Sequence, residues 1–296
     1  MKNSGYVYRN RVTAADDGIC VVEYYSRHYP RFSRKTWIER IRSGQVFRDG
    51  RVLKEDDRLH TGDRLSYCRP PWVEPDVPAE FAILFEDDYL LVVNKPSGLP
   101  VLPGDTYLEN TLLAMVRKEI SPELSPIHRL DRPTSGVIIF AKTHEARRCL
   151  SMAIQNGEMR KTYLAVARGS EMSDSFVVSA AIGQVTHPVS GSVAAQLKRG
   201  RPSETRFRVA KRCGDQSLLM AFLKTGRSHQ IRIHLAVEGC PLLGENFYGP
   251  GGMPRPGAVQ PGEGDFLLHA WRLRFSHPVT GQRLMVTAPS PFGQCE

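Results

Sequence analysis

Three short polar runs interrupt apolar stretches in this 296-residue sequence: HRLDRPTSG at 128–136, RKTY at 160–163 and TGRSHQIRIH at 225–234. The first sets one carboxylate, Asp131, among His128, Arg129 and Arg132, just ahead of the apolar run VIIFA at 137–141. An aspartate at a strand entrance can act as nucleophile, as general base or as an ion-pair partner. Pairing with Arg129 or Arg132 is the plainer role. Neighbouring cations also hold a carboxylate ionised, as a nucleophile requires, and the turn Pro133-Thr134-Ser135-Gly136 fixes where it sits. His128 reads as a hydrogen-bonded structural histidine.

In the second run, Tyr163 opens an apolar strand, where its ring serves either core packing or stacking on a nucleobase. Lys161, two residues earlier on the same strand face, is placed to reach a phosphate. In the third, Gln230 and His234 are spaced i, i+4 and share a helix face, whereas His229 and His234 are five apart and poorly placed to share a metal. A solvated basic helix is the plain reading of this run. However, Ile231, Ile233 and Leu235 alternate with its polar groups, so at least one of Arg227 and Arg232 should turn inward and need an anion. Asp131 is the candidate.

The elements that must position these runs follow from hydrophobic period and turn chemistry. Strands are expected at 90–94, 137–141, 162–167, 205–209 and 218–223, and helices at 112–119, 145–155 and 230–237. This mixed order argues for an α+β sheet domain rather than a doubly wound one. The Gly/Pro-rich stretch 249–264 reads as a loop. Four prolines in PPWVEPDVPAE, 70–80, mark an extended linker and a domain boundary. Ahead of it, Ser33 caps a helix with Trp37, Ile38 and Ile41 on one face and Arg34, Lys35, Arg40 and Arg42 on the solvent side. Gly44 ends that helix, and strands at 45–47 and 51–53 flank an Asp49-Gly50 turn before a strand at 64–67.

Composition, with 41% apolar and 24% charged residues, is that of an ordinary globular protein. The longest apolar runs are far short of the about 20 residues of a membrane span, and no apolar signal core opens the chain, so a cytoplasmic protein with no membrane partner is expected. Six scattered cysteines without a CxxC pair read as free thiols and give no metal site. The net charge is +9, and residues 1–70 carry +6 of it, with 15 Lys and Arg against 9 Asp and Glu. A basic excess confined to one segment points to nucleic acid or to a surface kept charged for solubility.

HRLD followed by Thr-Ser-Gly, taken with KTY, TGRSHQIRIHL and the preceding VVNKPSGLPV, resembles the RluA-type RNA pseudouridine synthases in both order and spacing, over roughly 82–290. GCPLLGENFYG at 239–249 fits as well, with Glu245 where that family usually has Asp; the charge is kept, and little consequence is expected. SRKTWIERIRSGQVFRDG and LHTGDRL resemble the alpha-L RNA-binding motif over roughly 19–68, although the first helix, near VVEYYSRHYP, departs from that motif's opening.

The resemblance implies a pseudouridine synthase fold, α+β with a central mixed, largely antiparallel sheet, plus a small N-terminal α/β RNA-binding domain. The expected division is 1–72, a linker at 73–81, and a catalytic domain at 82–296. It makes Asp131 the catalytic residue, Tyr163 the ring that stacks on uracil and assists loss of the C5 proton, and Arg232 the partner of Asp131. Arg129, Arg132, Lys161 and Arg227 would grip the strand around a flipped uridine, with Arg34 and Lys35 in the first domain; His128, Thr134, His229 and Gln230 would support the site. The reaction it implies is an isomerisation that needs no cofactor and no metal. Its substrate would be RNA, ribosomal first and transfer RNA second, and the enzyme a monomer. Two alternatives stand beside it. A glycosidase-like nucleoside hydrolase would need two carboxylates, where these motifs supply one. A non-catalytic RNA-binding or ribosome-assembly factor would have no use for Asp131, Tyr163 and Arg232 together.

Overall fold

The computed structural model describes residues 2–104, 106–258, 262 and 264–293. Val259, Gln260, Pro261 and Glu263 of the expected Gly/Pro-rich loop, and Cys295, lie outside the described residues. The chain divides into two compact units, Met1–Pro75 with Thr186–Val193, and Asp76–Val185 with Ala194–Glu296.

The first unit runs β1 (Tyr6–Arg11), α1 (Val21–His28), α2 (Arg34–Arg42), β2 (Val46–Arg48), β3 (Arg51–Val52) and β4 (Arg64–Arg69). Its strands form an antiparallel sheet in the order β1-β4-β2-β3. Ser33 starts α2 by accepting a hydrogen bond from the Thr36 amide at 3.1 Å. Asp49 (φ 48°) and Gly50 (φ 86°) make the two-residue turn of the β2–β3 hairpin, where both positions need positive φ. Alternation along β4 sends Leu65 and Tyr67 inward, where Tyr67 meets Trp37 of α2 and Tyr25 of α1 in an aromatic core.

One expectation is corrected in this unit. Arg40 does not lie on the solvent face with Arg34 and Lys35; its guanidinium stacks 3.9 Å from the Phe32 ring centroid and 4.7 Å from that of Trp37, because a planar cation loses little by covering aromatic faces. The proline-rich segment makes contacts with the first unit up to Glu74. Asn3 donates to Glu74 Oε1 at 2.6 Å and its amide to the Trp72 carbonyl at 3.0 Å, and Arg69 stacks 3.4 Å from the Trp72 ring.

The second unit begins with β5 (Ala82–Glu86), β6 (Leu90–Lys95), α3 (Leu112–Glu119), β7 (Ser125–Pro126), β8 (Ser135–Ala141), α4 (His144–Gln155) and β9 (Arg160–Arg168). There follow β10 (Ser175–Val178), β11 (Ile182–His187), β12 (Gly191–Gln196), β13 (Thr205–Cys213), β14 (Gln216–Leu223), α5 (Gln230–Val237), β15 (Leu268–Ser276) and β16 (Arg283–Thr287), the end of β11 and the start of β12 being counted with the first unit as Thr186–Val193. β11 and β12 pair with each other; the main sheet is ordered β10-β13-β14-β9-β15-β8-β6-β5, with β16 on β15 and β7 on β8. Among the described residues β15–β8 is its one parallel pairing, so the sheet is mixed and largely antiparallel and the fold α+β.

β6 and β8 are buried on both faces, which is why they read as unbroken apolar runs. Leu91, Val93, Ile138 and Phe140 share one core with α3 and α5, whereas Leu90, Val92, Val137 and Ile139 share the other with α4. Where β8 meets β15, Gly136 has φ +110°, and a Cβ there would sit 2.2 Å from the Ala270 carbonyl oxygen. Only glycine permits that approach, which brings the mouth of β8 against the middle of the sheet.

Candidate active site

The loop carrying Asp131 is held from below by Lys95 at the end of β6. Lys95 is fully buried and donates to three carbonyl oxygens, those of Pro96 (2.9 Å), Leu99 (2.6 Å) and Arg132 (3.0 Å). The Gly98 amide adds a bond to the Arg132 carbonyl (2.8 Å) and Ser97 Oγ one to Pro133 (2.7 Å), so the turn 96–99 and the loop 131–134 form one braced unit. Burial pulls the Lys95 ammonium down to about 7, with Asp131 opposing the shift and Arg132 adding to it.

α5 brings the second set of groups. Its N-cap, His229, has a left-handed backbone (φ 55°), uncommon without glycine and a mark of local constraint. Gln230 braces the turn: its Oε1 accepts from the Arg227 amide and Thr225 Oγ1, while Nε2 donates to the Glu204 carbonyl and Thr205 Oγ1. His234 reaches the same Thr205 hydroxyl at 2.9 Å, as its i, i+4 spacing from Gln230 requires. Tyr248 Oη donates to the Ala194 carbonyl (2.8 Å), so its contact with His229 Nδ1 (2.6 Å) takes its proton from the histidine. That fixes the ring and turns Nε2 toward Asp131 Oδ1, 3.5 Å away.

Arg232, expected to pair with Asp131, has a different first partner. Its guanidinium is wholly buried and grips Glu245 through Nε–Oε2 at 2.6 Å and Nη2–Oε1 at 2.7 Å, while Nη1 stands 3.9 Å from Asp131 Oδ2. Glu245 also accepts from the amides of Phe247 (2.9 Å) and Tyr248 (3.0 Å). The bidentate geometry satisfies planar guanidinium and carboxylate together, and Arg232 is further covered by the Phe266 ring, 4.0 Å from its centroid. Glu245 is therefore the residue that holds the buried guanidinium of α5, and the charge expected at this position is kept.

These groups wall a cleft of about 400 Å³. Asp131, His128, Arg129, Thr134, Lys161, Tyr163, Arg227, His229, Gln230 and Arg232 all line it; Arg132 does not, and its contribution is the carbonyl held by Lys95. Arg34 and Lys35 are exposed on α2 in the first unit. Asp131 is the one carboxylate lining the cleft among the described residues, since Glu245 lies behind Arg232. Burial alone would raise the Asp131 pKa, but His229, Arg232 and Arg129 outweigh it and hold the carboxyl well below the usual range. Burial, and then Asp131, push the Tyr163 phenol above its ordinary value, so it stays protonated at neutral pH. Burial lowers Lys161, and burial together with Lys161 keeps His128 neutral, its Nε2 accepting from the Ile139 amide at 3.4 Å. Sequence reading gave Lys95 and Tyr248 no role and cast His229 only as support; the one available signal was their place inside the NKPSG, FYG and SHQIR strings.

A family model described as RNA pseudouridylate synthase matches residues 89–237, half of the chain, and spans all three polar runs. Over 273 residues the chain is 38% identical to an uncharacterized RNA pseudouridine synthase of Synechocystis sp., with 92% of this chain and 94% of that protein aligned. It is 34% identical over 276 residues to ribosomal large subunit pseudouridine synthase C of Escherichia coli, covering 88% and 86%. Among solved structures, human RNA pseudouridylate synthase domain containing 1 superimposes with a TM-score of 0.59 at 26% identity, covering 74% of this chain and 87% of that one.

Proposed function

The chain belongs to the RNA pseudouridylate synthase family, and from that premise we propose that it isomerises particular uridines of ribosomal RNA with Asp131 as the catalytic group. The observation that carries the role of Asp131 is its isolation: among the described residues it is the single carboxylate lining a cleft that keeps it ionised in spite of burial. Hydrolysis of a glycosidic bond ordinarily uses two carboxylates, one to protonate the leaving group and one to act opposite. Here the second acid, Glu245, is consumed by Arg232 and two amides.

Isomerisation asks for less. The C1′–N1 bond breaks, the uracil turns without leaving, C1′ joins C5, the C5 proton departs and N1 gains one. A single ionised carboxylate suffices, either attacking C1′ or removing a ribose proton. Tyr163, a buried protonated phenol with its ring on the cleft wall, suits stacking on the turned base better than proton abstraction. Arg129, Lys161 and Arg227 face the same cleft and are the cations placed to meet the phosphates of a flipped nucleotide, while Arg34 and Lys35 on α2 meet RNA in the first unit. Ribosomal RNA is put first because relatives named for the ribosomal large subunit align over most of the chain, with transfer RNA second. The working enzyme is a cytoplasmic monomer in this reading.

Asp131→Asn removes the charge and keeps the shape. Pseudouridine formation, followed as tritium release from RNA labelled at uracil C5, should fall roughly a thousand-fold or more while RNA affinity stays within a factor of a few. Turnover at the wild-type rate would remove Asp131 from the mechanism. Mapping pseudouridine in cells with and without the gene would name the substrate, and a missing site outside ribosomal RNA would redirect the target.

A further inference from the structure

We propose that the outer face of the first unit's sheet, the face turned away from α1 and α2, is a phosphate-binding surface for RNA, separate from the α2 face and from the cleft. The proposal rests on the reading of this chain as an RNA-modifying enzyme, and it starts from a register. β1 pairs with β4 so that Arg9 stands opposite Ser66 and Arg11 opposite Arg64. Because Leu65 and Tyr67 face the helices, alternation sends Arg64 and Ser66, with Arg9 and Arg11, to the other side. Arg9, Arg11 and Arg64 are all exposed. Ser66 leads on across the sheet to Phe47 of β2 and Val52 of β3, so a half-buried ring and an exposed apolar side chain (Val52, 47% exposed) adjoin the cations.

Like charges directly opposite on antiparallel strands repel, and Arg9 sits on the diagonal to Arg64, within reach of the same repulsion. A fold normally relieves such a pair with a carboxylate. None serves here: among the described residues no acid pairs with Arg9, Arg11 or Arg64. The nearest in sequence, Asp63, is taken by Arg48 at 3.2 Å and by the His60 amide at 2.9 Å. Three cations held together without an internal anion make a site for an external one, and Arg9 and Arg11, about 7 Å apart along the strand, suit a chain of phosphates better than a single ion. Phe47 beside them offers a ring face to an unpaired base.

The test uses the full-length protein and the variant Arg9→Gln/Arg11→Gln/Arg64→Gln, with binding of a labelled oligouridine and of a duplex RNA of equal length measured across a salt series. The slope of log K against log salt on the single strand should shrink by about 2, as three lost phosphate contacts predict. Turnover at saturating RNA should hold while KM rises. The unliganded variant should unfold at or above the wild-type temperature in low salt, since the facing charges are gone. An unchanged slope overturns the proposal, as does an equal change in the control variant Lys118→Gln/Arg147→Gln on the second unit. So does a lower unfolding temperature, which would make these arginines structural, or a loss confined to phosphatidylserine vesicles, which would make the face a membrane surface. A wild-type protein that forms no pseudouridine would instead defeat the functional reading, and the slope comparison would remain informative.

Discussion

Arg232 and the Arg11–Arg64 pair put the same side chain in opposite settings. Arg232 has no exposed surface, a bidentate carboxylate at 2.6 and 2.7 Å and a second one at 3.9 Å, whereas Arg11 and Arg64 face each other in solvent with no acid paired to them among the described residues. A buried guanidinium is tolerable only when its donors are matched, so its charge is spent inside the protein, fixing Glu245 and biasing Asp131 toward the ionised state. An exposed one is cheap to leave unmatched, so its charge remains for a partner. The difference separates cations that tune a reaction from cations that hold a polyanion.

The largest effect is expected at Glu245. Glu245→Gln takes the bidentate carboxylate away from the buried Arg232, with Asp131 still 3.9 Å from Nη1, and loss of one member of a buried pair costs about 3–5 kcal/mol. Urea unfolding should show that loss, with turnover falling as Arg232 is drawn toward Asp131; Glu245→Asp should recover most of both. The pH dependence has a definite sign. Burial would raise the Glu245 pKa, but Arg232 and the amides of Tyr248 and Phe247 lower it below the reference 4.5. A depressed folded-state carboxyl contributes stability that is present above about pH 4.5 and is lost as pH falls through the folded value. The Gln variant should therefore lose stability at neutral pH and show a flatter acid limb. An unaltered acid limb would mean that other carboxylates govern acid unfolding.

Much of this frame is legible in the sequence, and the illegible parts have physical causes. α3 and α5 keep the bounds that hydrophobic period assigns them, and β6 and β8 declare themselves as apolar runs because both their faces are buried. β15 does not: LHAWRLRFS puts Arg272 and Arg274 on a strand in the middle of the sheet, and its partners β8 and β9 lie more than a hundred residues away. β1, with YVYRNR, hides because it is an edge strand whose side chains are mostly exposed, so no apolar pattern marks it. At the site, the three polar runs identify the cleft's walls, but not who pairs with whom. Arg232 prefers Glu245 over Asp131, and His229 becomes the closest cation-capable neighbour of Asp131, only because Tyr248 and the left-handed turn aim it. Pair geometry of that kind depends on tertiary contacts that no local spacing encodes.

Lys95, a buried cation with carbonyl rather than carboxylate partners, gives the next largest effect. Lys95→Met keeps the length and removes all three donors to Pro96, Leu99 and Arg132. The Gly98 amide still serves the Arg132 carbonyl, so the Pro96 and Leu99 carbonyls are the ones that lose their donor, at about 1–3 kcal/mol for each buried acceptor, but the burden of desolvating an ammonium is removed as well. A net loss of about 1–3 kcal/mol in urea unfolding is expected. Because Arg132 adjoins Asp131, kcat should fall much more than KM changes. A variant that lost stability and kept kcat would show that the brace supports the fold without setting the position of the carboxylate.

Arg40 tests the division between tuned and free cations at its boundary, with the smallest expected change. It belongs to the basic first unit, yet its guanidinium lies over Phe32, Trp37 and Tyr67, and burial pulls its pKa below the usual arginine value. Stacking of this kind contributes about 0.5–2 kcal/mol, while its buried Nη1, which has no hydrogen-bond partner among the described residues, costs a comparable amount. Arg40→Met should thus change the stability of the protein by less than about 1 kcal/mol, the methionine filling the aromatic surface that the arginine stem covered. It should also leave the salt slope for RNA unchanged, in contrast to the Arg9, Arg11 and Arg64 variant. A slope smaller by about 0.7 would mean that Arg40 leaves its aromatic bed to contact a phosphate, and the inner face of the unit would then have to be counted with the outer one as RNA-binding surface.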